Sequence, residues 1–322
     1  MESICVRRFN LHTGDKEKKG YIKSHEEVFD FCLKHNIIGT GWGTEEKEYS
    51  IENFKKAYPN GTGGVRAMNG LEDMKENDLI WTRRKSEYYL CRVIGNKTYH
   101  ISNNKDIFEQ QKKEYSILKD IEYQELHDCD IWNFVECEYC YIGTETEVFG
   151  SVVNSMKAGG VTQKVSKGGQ ALIEYSKKKY NENKKGKYRY ELKKIKDKWE
   201  YFWNYIGADE LEELVGLYLQ VEKNYGIYTS TNKHDTIHIE FVLFDRKTGE
   251  KAFLQVKEHD INIYDYIELS KQGIVYIFSN NDTEYESINN IVRITRKQIE
   301  EFCNNRKHKK FLPGKIKYIF EN

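Results

Sequence analysis

Proline and long apolar runs are the two features that this chain most plainly lacks. It has 2 prolines in 322 residues, and no stretch rich in proline, glycine and serine stands out as a linker. No run of about 18 apolar residues occurs, which argues against a membrane-spanning helix. The first residues, MESICVRRFN, contain no apolar signal core, so we expect a cytoplasmic protein without a membrane partner.

Net charge is also absent, because 51 Lys and Arg balance 51 Asp and Glu. A neutral chain has no overall field that steers it toward nucleic acid. The charge is nevertheless uneven, since the segment from Lys164 to Lys198 holds 13 Lys and Arg against 4 Asp and Glu. The aromatic content of 14%, with 24 Tyr, excludes a disordered chain, and the length predicts about two domains.

Cysteine is present, but in a pattern that argues against disulfides. Seven cysteines at irregular spacing, in a chain expected in the cytoplasm, predict reduced thiols. His127, Cys129, Cys137 and Cys140 lie close in sequence, and a structural zinc site is one interpretation of them. The run DIWNFVECEYCYIG has the pattern of a strand, which points Cys137 and Cys140 to opposite faces. We therefore predict buried free thiols here rather than zinc.

The order of predicted elements divides the chain into three parts. Residues 1–165 contain a helix capped by Ser24 and a hairpin, DLIWTRRKSEYYLCRVIG, among short strands, which predicts an α+β, barrel-like domain. Residues 166–207 hold most of the basic stretch and predict a helical connector. Residues 208–322 show helix, hairpin, helix, buried strand and helix in that order, which predicts an α/β domain.

The strand in DRKTGEKAFLQVKEHD ends in long polar side chains instead of turn residues. Gln255 and Lys257 share one face of this strand, because successive side chains alternate. Glu240 lies across the turn on the preceding strand, and Glu212 lies on the helix before the hairpin. Metal-dependent phosphodiester hydrolysis needs oxygen ligands for Mg²⁺ and a cation that stabilises the developing charge. These four residues form our candidate catalytic set, although a solvated strand edge gives the same pattern.

This arrangement resembles the PD-(D/E)xK nuclease superfamily, and most closely its Mrr-type restriction endonucleases, in which Gln replaces the second acid. The segments that carry the resemblance are ELEELV, IEFVLFDRKTGEKAFLQVK and GIVYIFSN. The resemblance implies a restriction-endonuclease-like fold, Mg²⁺ or Mn²⁺ as cofactor, and DNA as substrate. It places Glu240 and Gln255 at the metal-binding positions, Lys257 at the QxK lysine and Glu212 at the helix acid. The family usually has Asp in place of Glu240, so Asp235 is a second candidate metal ligand.

The predicted first domain carries aromatic and basic residues that suit nucleic acid. Trp42 stands between two glycines, and bases stack on aromatic faces. The hairpin adds Trp81 and Tyr89 as aromatic candidates, although aromatics on strands also build cores. Arg83 and Arg84 at the hairpin turn are candidates for phosphate contact.

A basic, glycine-punctuated segment, FGSVVNSMKAGGVTQKVSKGG, follows these strands. Its Lys164 and Lys167 suit phosphate contact. The pattern of the first domain resembles PUA-like and EVE-like barrels, which are modules that bind RNA or modified nucleotides. Trp42 is the best ligand candidate, because its neighbours lack side chains.

Together these features predict a two-domain, Mg²⁺-dependent DNA endonuclease of restriction or defence type. The first domain would read a feature of the DNA, such as a modified base, and the second would cut. The resemblance adds the expectation of a homodimer, since single nuclease domains of this class often cut one strand. Two alternatives stay open: a nucleic-acid-binding protein that kept the scaffold but lost hydrolysis, and a module that senses a small nucleotide. Glu240 in place of Asp keeps the first of these open.

Overall fold

The structure is a computed structural model, and it describes residues 4–11, 23–166, 169–184, 188–193, 197–229, 239–257, 259–280 and 288–320. The chain divides into two compact units, Met1–Lys193 and Lys194–Asn322. Each unit has a mixed β-sheet with helices packed against it, so the predicted mixture of helices and strands is confirmed. In the described ranges, no helix combines the length and the apolar character that crossing a bilayer requires.

The sheet of the first unit has six strands in the order β2-β5-β4-β3-β1-β6. Neighbouring strands are antiparallel except β1 and β3, which run parallel. Because β2 and β6 are its two edges among the described residues, the sheet is open, and the predicted barrel does not close. The strands are β1 (Val6–Phe9), β2 (Ile37–Thr40), β3 (Leu79–Arg84), β4 (Glu87–His100), β5 (Asn133–Gly143) and β6 (Thr162–Lys164).

Helices pack on both faces of this first sheet. On one face lies the main core, where Phe29, Phe54 and Phe134 are fully buried. On the other face lies the last helix, α7, whose Tyr175 is buried against the sheet. The helices described in this unit are α1 (His25–His35), α2 (Ile51–Ala57), α3 (Thr62–Glu72), α4 (Lys105–Glu114), α5 (Tyr123–Cys129), α6 (Gly150–Lys157) and α7 (Gly169–Asn183).

Helix α1 is capped by Ser24, as the sequence predicts. The Ser24 hydroxyl accepts a hydrogen bond from the Glu27 backbone N–H, and the Glu27 carboxylate accepts one from the Ser24 N–H at 2.7 Å. This reciprocal capping box satisfies donors that the first turn of a helix leaves unpaired. Asn36 ends the helix in the left-handed conformation, with a φ of 53°.

The cysteines of the chain are free thiols, and Cys129, Cys137 and Cys140 are buried, as predicted. Cys137 and Cys140 lie three positions apart on β5, so they point to opposite faces of the sheet. Burial raises the pKa of the Cys140 thiol to about 12, which keeps it protonated and unreactive.

The sheet of the second unit has five strands in the order β11-β10-β9-β8-β7. Strand β8 runs antiparallel to both of its neighbours, β7 and β9, whereas β9, β10 and β11 run parallel. The strands are β7 (Tyr225–Ile227), β8 (Phe241–Asp245), β9 (Lys251–Lys257), β10 (Ile274–Ser279) and β11 (Ile291–Ile294).

The second sheet is also covered on both faces. Helix α9 packs on the face that carries Phe241, since a Cβ added to Gly216 of α9 would meet the Phe241 ring at 3.4 Å. The opposite face carries Phe253 and is covered by a 3-10 turn at Ile263–Tyr266. The helices described in this unit are α8 (Lys198–Tyr205), α9 (Ala208–Glu222), α10 (Ile267–Ser270), α11 (Arg296–Asn304) and α12 (Gly314–Phe320).

The stretch predicted as a connector, residues 166–207, contributes to both units. Its first helix, α7, belongs to the first unit, and α8 belongs to the second. Tyr180 of α7 donates a hydrogen bond to Glu138 of β5, whose carboxylate also accepts from Arg92 of β4 at 2.7 Å. This buried polar contact fixes a basic helix onto the sheet that it covers.

Candidate functional site

A tight turn joins β8 and β9 and fixes the hairpin that carries the candidate catalytic residues. The Asp245 carboxylate accepts hydrogen bonds from the backbone N–H groups of Lys247 and Thr248, at 2.6 and 3.1 Å. Gly249 has a φ of 75°, a left-handed conformation that glycine adopts without strain. The TG pair in the sequence therefore marks the turn of this hairpin.

The hairpin brings the side chain of Glu240 next to that of Gln255. Phe241 pairs with Leu254, and the Glu240 N–H donates to the Leu254 carbonyl at 2.9 Å. Glu240 comes just before β8, so it lies at the end of the hairpin that is far from the turn. The start of the strand predicted at TIHIE falls partly outside the described residues, which resume at residue 239.

Glu240, Gln255 and Lys257 meet through one carboxylate oxygen. Gln255 Nε2 donates to Glu240 Oε1 at 3.0 Å, and Lys257 Nζ lies 3.3 Å from the same oxygen. Alternation along β9 puts Gln255 and Lys257 on the face that carries Phe253. The structure thus brings together three of the candidate catalytic residues at one end of the sheet.

Gln255 is a polar side chain in a buried position, with 1% of its surface exposed. Its Nε2 also donates to the Val256 carbonyl at 3.2 Å. Its Oε1 is buried without a hydrogen-bond partner in the part of the chain that the structure describes. An unsatisfied buried acceptor costs about 1–3 kcal/mol, so stability alone does not explain an amide at this position.

Lys257 and Glu240 border solvent on the open side of this cluster. Lys257 is exposed and Glu240 is half-buried. An ion pair that water reaches contributes at most about 1 kcal/mol to stability. The ammonium of Lys257 can therefore leave Glu240 for a ligand at little energetic cost.

Tyr266 is a neighbour of this cluster that sequence reasoning missed. It lies in the 3-10 turn that covers Phe253. Burial, and after it the negative charges of Asp265 and Glu240, raise the pKa of its phenol to about 12. Tyr266 therefore stays neutral within electrostatic reach of the Glu240 carboxylate. Nothing in the local run DYIELS distinguishes it from the other tyrosines of the chain.

Of the two remaining candidate acids, Glu212 and Asp235, the structure describes only Glu212. Glu212 is half-buried on α9, the helix that packs on the face opposite to Gln255. Asp235 lies outside the described residues. Sequence spacing could not decide the face for Glu212, because that depends on how the helix packs on the assembled sheet.

The oxygen donors at this end of the sheet fit a hard cation. Mg²⁺ prefers carboxylate and amide oxygens, which Glu240 and Gln255 carry, and it keeps several water ligands. A half-turn of the Gln255 amide exchanges Oε1 with Nε2, so the side chain can present an acceptor toward Glu240. Across the described ranges, no three His, Cys, Asp or Glu side chains gather as a metal site, so this pair of oxygens is the candidate.

A second candidate site surrounds Trp42 in the first unit. Trp42 follows β2 with a φ of 59°, a left-handed conformation that is strained for a bulky residue. Asn133 Nδ2 donates to the carbonyls of Gly41 and Trp42, at 2.6 and 3.3 Å. The Tyr58 hydroxyl donates to the Gly43 carbonyl at 2.8 Å. Side chains therefore hold all three carbonyls of this loop and fix its backbone, and the half-buried Trp42 ring packs against the main core.

Asn133 is itself held by a polar chain that the sequence did not reveal. Because its Nδ2 donates to two carbonyls, its Oδ1 faces His100 Nδ1, at 2.7 Å. The other ring nitrogen of His100 faces Glu72, and Tyr49 stacks on the ring with 4.0 Å between centroids. These residues lie far apart in sequence, so no local pattern could have found them.

Trp81 belongs to the core and not to a nucleic-acid surface, which corrects the prediction for this residue. Its side chain is 0% exposed in the layer between the first sheet and α7. Its Nε1 donates to Ser176 Oγ at 3.0 Å. No face of the ring is open to a base, so the alternative interpretation as a core aromatic holds.

Arg83, Arg84 and Tyr89 lie at the hairpin end of β3 and β4. Trp42 is near the last residues of β4, whereas these three are near its first residues. Arg84 pairs with Asp30 at 2.8 Å, Arg83 is exposed, and Tyr89 is half-buried. The structure therefore does not bring the hairpin residues to Trp42.

Of the two lysine candidates, Lys164 and Lys167, the structure describes only Lys164. Lys164 is the last residue of β6 and is exposed. Because β6 and β2 are opposite edges of the sheet, Lys164 lies across the sheet from the Trp42 loop. Lys167 lies outside the described residues.

In comparisons with known proteins, no family model, no curated protein and no solved structure matches this chain. Function therefore has to be argued from the geometry and chemistry of the sites themselves.

Proposed function

We propose that the second unit is a Mg²⁺- or Mn²⁺-dependent DNA endonuclease domain of the PD-(D/E)xK type, nearest to the Mrr-type QxK branch. The observation that carries this proposal is the meeting of Glu240, Gln255 and Lys257 at the open end of the β8–β9 hairpin. The element order supports it, because α9, the hairpin, the α10 region, the buried strand β10 and α11 follow one another as the resemblance implies.

Each residue has a distinct part in the proposed mechanism. Glu240 and Gln255 would hold the cation through side-chain oxygens, and its Lewis acidity would neutralise charge that develops on the phosphodiester. Lys257 would place its exposed ammonium against a phosphate oxygen, where a fixed positive charge stabilises the transition state. The burial of Gln255 would keep its amide in place. Glu212 and Asp235 are candidate supporting acids.

We propose further that the first unit reads the nucleic acid through Trp42. The held carbonyls fix the loop, and packing against the core holds the ring, before any ligand arrives. A ring that is already fixed can stack on a base, or on a flipped base, without the entropic cost of becoming ordered on binding. The proposed partner is DNA, modified or unmodified, in a restriction or defence role in the cytoplasm, and a homodimer would supply one site for each strand.

A nucleic-acid-binding protein without hydrolysis is the second candidate. Two observations favour it: Glu240 is longer than the Asp that the resemblance leads us to expect, and Lys257 and Gln255 both contact the same Glu240 oxygen. In this candidate, those contacts close the site to a cation and DNA is bound without being cut.

Plasmid cleavage in Mg²⁺ or Mn²⁺ separates the two candidates. We expect the wild type to cut and Lys257→Ala to bind without cutting. Lys271→Ala is the matched control, because it removes an exposed lysine that pairs with Glu268 elsewhere in the unit, and it should keep full activity. Base-modified and unmodified plasmids in the same assay report what the first unit selects. Binding by the wild type without cutting of any substrate would overturn the nuclease proposal.

A further inference from the structure

The turn between α11 and α12 is strongly basic. Residues 306–310 read RKHKK, with four Lys and Arg and no acid, in a chain whose net charge is zero. Backbone hydrogen bonds order this turn, because the N–H groups of His308 and Lys309 both donate to the Asn305 carbonyl. The four cationic side chains therefore project from an ordered backbone.

The four cations of this turn lack acidic partners. Within the described ranges, Arg306, Lys307, Lys309 and Lys310 form no ion pair. By contrast, Lys257, Lys271 and Lys315 of the same unit each pair with an acid. Unpaired cations on an ordered surface leave their charge available to an external anion.

Two more cations reach the same place from other elements. His308 Nδ1 lies 3.2 Å from Glu222 Oε1, which puts the turn beside the end of α9 and its neighbour Lys223. The Arg246 N–H donates to the Asn224 carbonyl at 3.2 Å, which brings the β8–β9 turn there as well. We name these six cations the end surface: Arg306, Lys307, Lys309, Lys310, Lys223 and Arg246.

The end surface lies at the opposite end of the sheet from the proposed cleavage site. Strand β9 runs from Lys251, next to the hairpin turn, to Lys257 at the site. At about 3.3 Å per residue, its length separates the two by about 20 Å. The end surface is therefore a separate feature and not part of the Glu240 cluster.

The chemistry of the end surface fits an extended polyanion. Long cationic side chains from three elements suit separate phosphates along a backbone better than one enclosed anion. Phe311 is 47% exposed, and Lys310 Nζ lies 4.9 Å from its ring centroid, so the ring can meet a base or a sugar. Two of the acids near this surface are engaged, since Glu222 faces His308 and Asp245 is bonded to its own turn. We propose that the end surface binds the phosphate backbone of DNA, apart from the cleavage site.

The salt dependence of DNA binding tests this proposal. A short fluorescent duplex is titrated with the intact protein in EDTA over a series of KCl concentrations, so that no cutting takes place. Each lost phosphate contact reduces the slope of log Kobs against log salt by about 0.9. The triple variant Lys307→Gln, Lys309→Gln and Lys310→Gln should therefore reduce the slope by about 3. The triple variant Lys307→Arg, Lys309→Arg and Lys310→Arg keeps the charge and should keep the slope.

The matched control is the triple variant Lys105→Gln, Lys113→Gln and Lys119→Gln, which should leave the slope unchanged. These lysines of the first unit are exposed and form no ion pair among the described residues. An unchanged slope in the turn variant, or an equal fall in the control, would overturn the proposal. Binding to anionic lipid vesicles that the turn variant abolishes, with DNA binding unaffected, would assign the surface to a membrane and also overturn it. Because cutting is not measured, a failure of the cleavage proposal would leave this result intact.

Discussion

At position 255, the side chain that suits stability differs from the one that the proposed chemistry needs. The buried amide leaves Oε1 unsatisfied among the described residues, whereas an apolar side chain of similar size would fill the same space. We predict that Gln255→Leu changes the free energy of unfolding by less than about 1 kcal/mol, or raises it, and abolishes cutting. Urea unfolding and plasmid cleavage measure the two effects.

The neighbouring core residue Leu254 supplies the control for that comparison. Leu254 is fully buried on the other face of β9, so Leu254→Ala should lower the free energy of unfolding by about 2–5 kcal/mol. A Gln255→Leu protein that is as unstable as Leu254→Ala, or that still cuts, would remove Gln255 from the proposed site.

Trp42 has a strained backbone conformation, and two substitutions at this position can measure the strain. Trp42→Gly and Trp42→Ala both delete the ring, but only alanine keeps a Cβ in the left-handed conformation. We predict that the glycine variant is more stable than the alanine variant by about 1 kcal/mol in urea unfolding, and that both bind DNA more weakly. Equal stability of the two variants would mean that the loop relaxes and does not hold Trp42 rigidly.

At the scale of the elements, the N-terminal cap of helix α1 makes the stability of the fold depend on pH. The Ser24 backbone N–H, the Ser24 hydroxyl and the Lys23 ammonium lower the pKa of Glu27 from 4.5 to about 2. A carboxyl with a depressed pKa in the folded state stabilises the fold above its unfolded pKa, and this contribution is lost as pH falls through the folded pKa. We predict that Glu27→Gln removes this loss between pH 4.5 and about 2.

Urea unfolding at a series of pH values measures the effect at Glu27. The difference in free energy of unfolding between wild type and Glu27→Gln should shrink as the solution is acidified through that window. A constant difference between the two proteins across the window would show that the capping box does not hold the Glu27 charge.

Elements with local signals could be predicted, and those set by packing could not. Caps, turns and alternation are short-range signals. They are the reason why helix α1, and the position of Gln255 and Lys257 on one face of β9, follow from the sequence. Trp81 shows the limit, because strand alternation cannot tell whether a helix such as α7 covers the second face. Barrel closure and the polar chain through His100 depend on contacts between distant residues, which no local pattern encodes.

At the scale of the whole molecule, each unit has a sheet and a core of its own, which predicts that each folds independently. We predict that residues 194–322 alone unfold cooperatively and cut plasmid without regard to base modification. The full chain should prefer one substrate, because only it carries Trp42. Circular dichroism during urea unfolding and competitive cleavage measure these properties. A fragment that is unfolded, or that keeps the preference of the full chain, would contradict this division of roles.

Glu240 and Gln255 are proposed to hold a divalent cation, and binding of Mn²⁺ to the intact protein tests this most directly. Calorimetric titration compares the wild type with Glu240→Gln and with Glu250→Gln, which changes an exposed acid at the hairpin turn. We predict that Glu240→Gln weakens Mn²⁺ binding by about tenfold or more, because it removes a carboxylate ligand, and that Glu250→Gln does not. Equal Mn²⁺ affinity in the wild type and Glu240→Gln would contradict the proposed site.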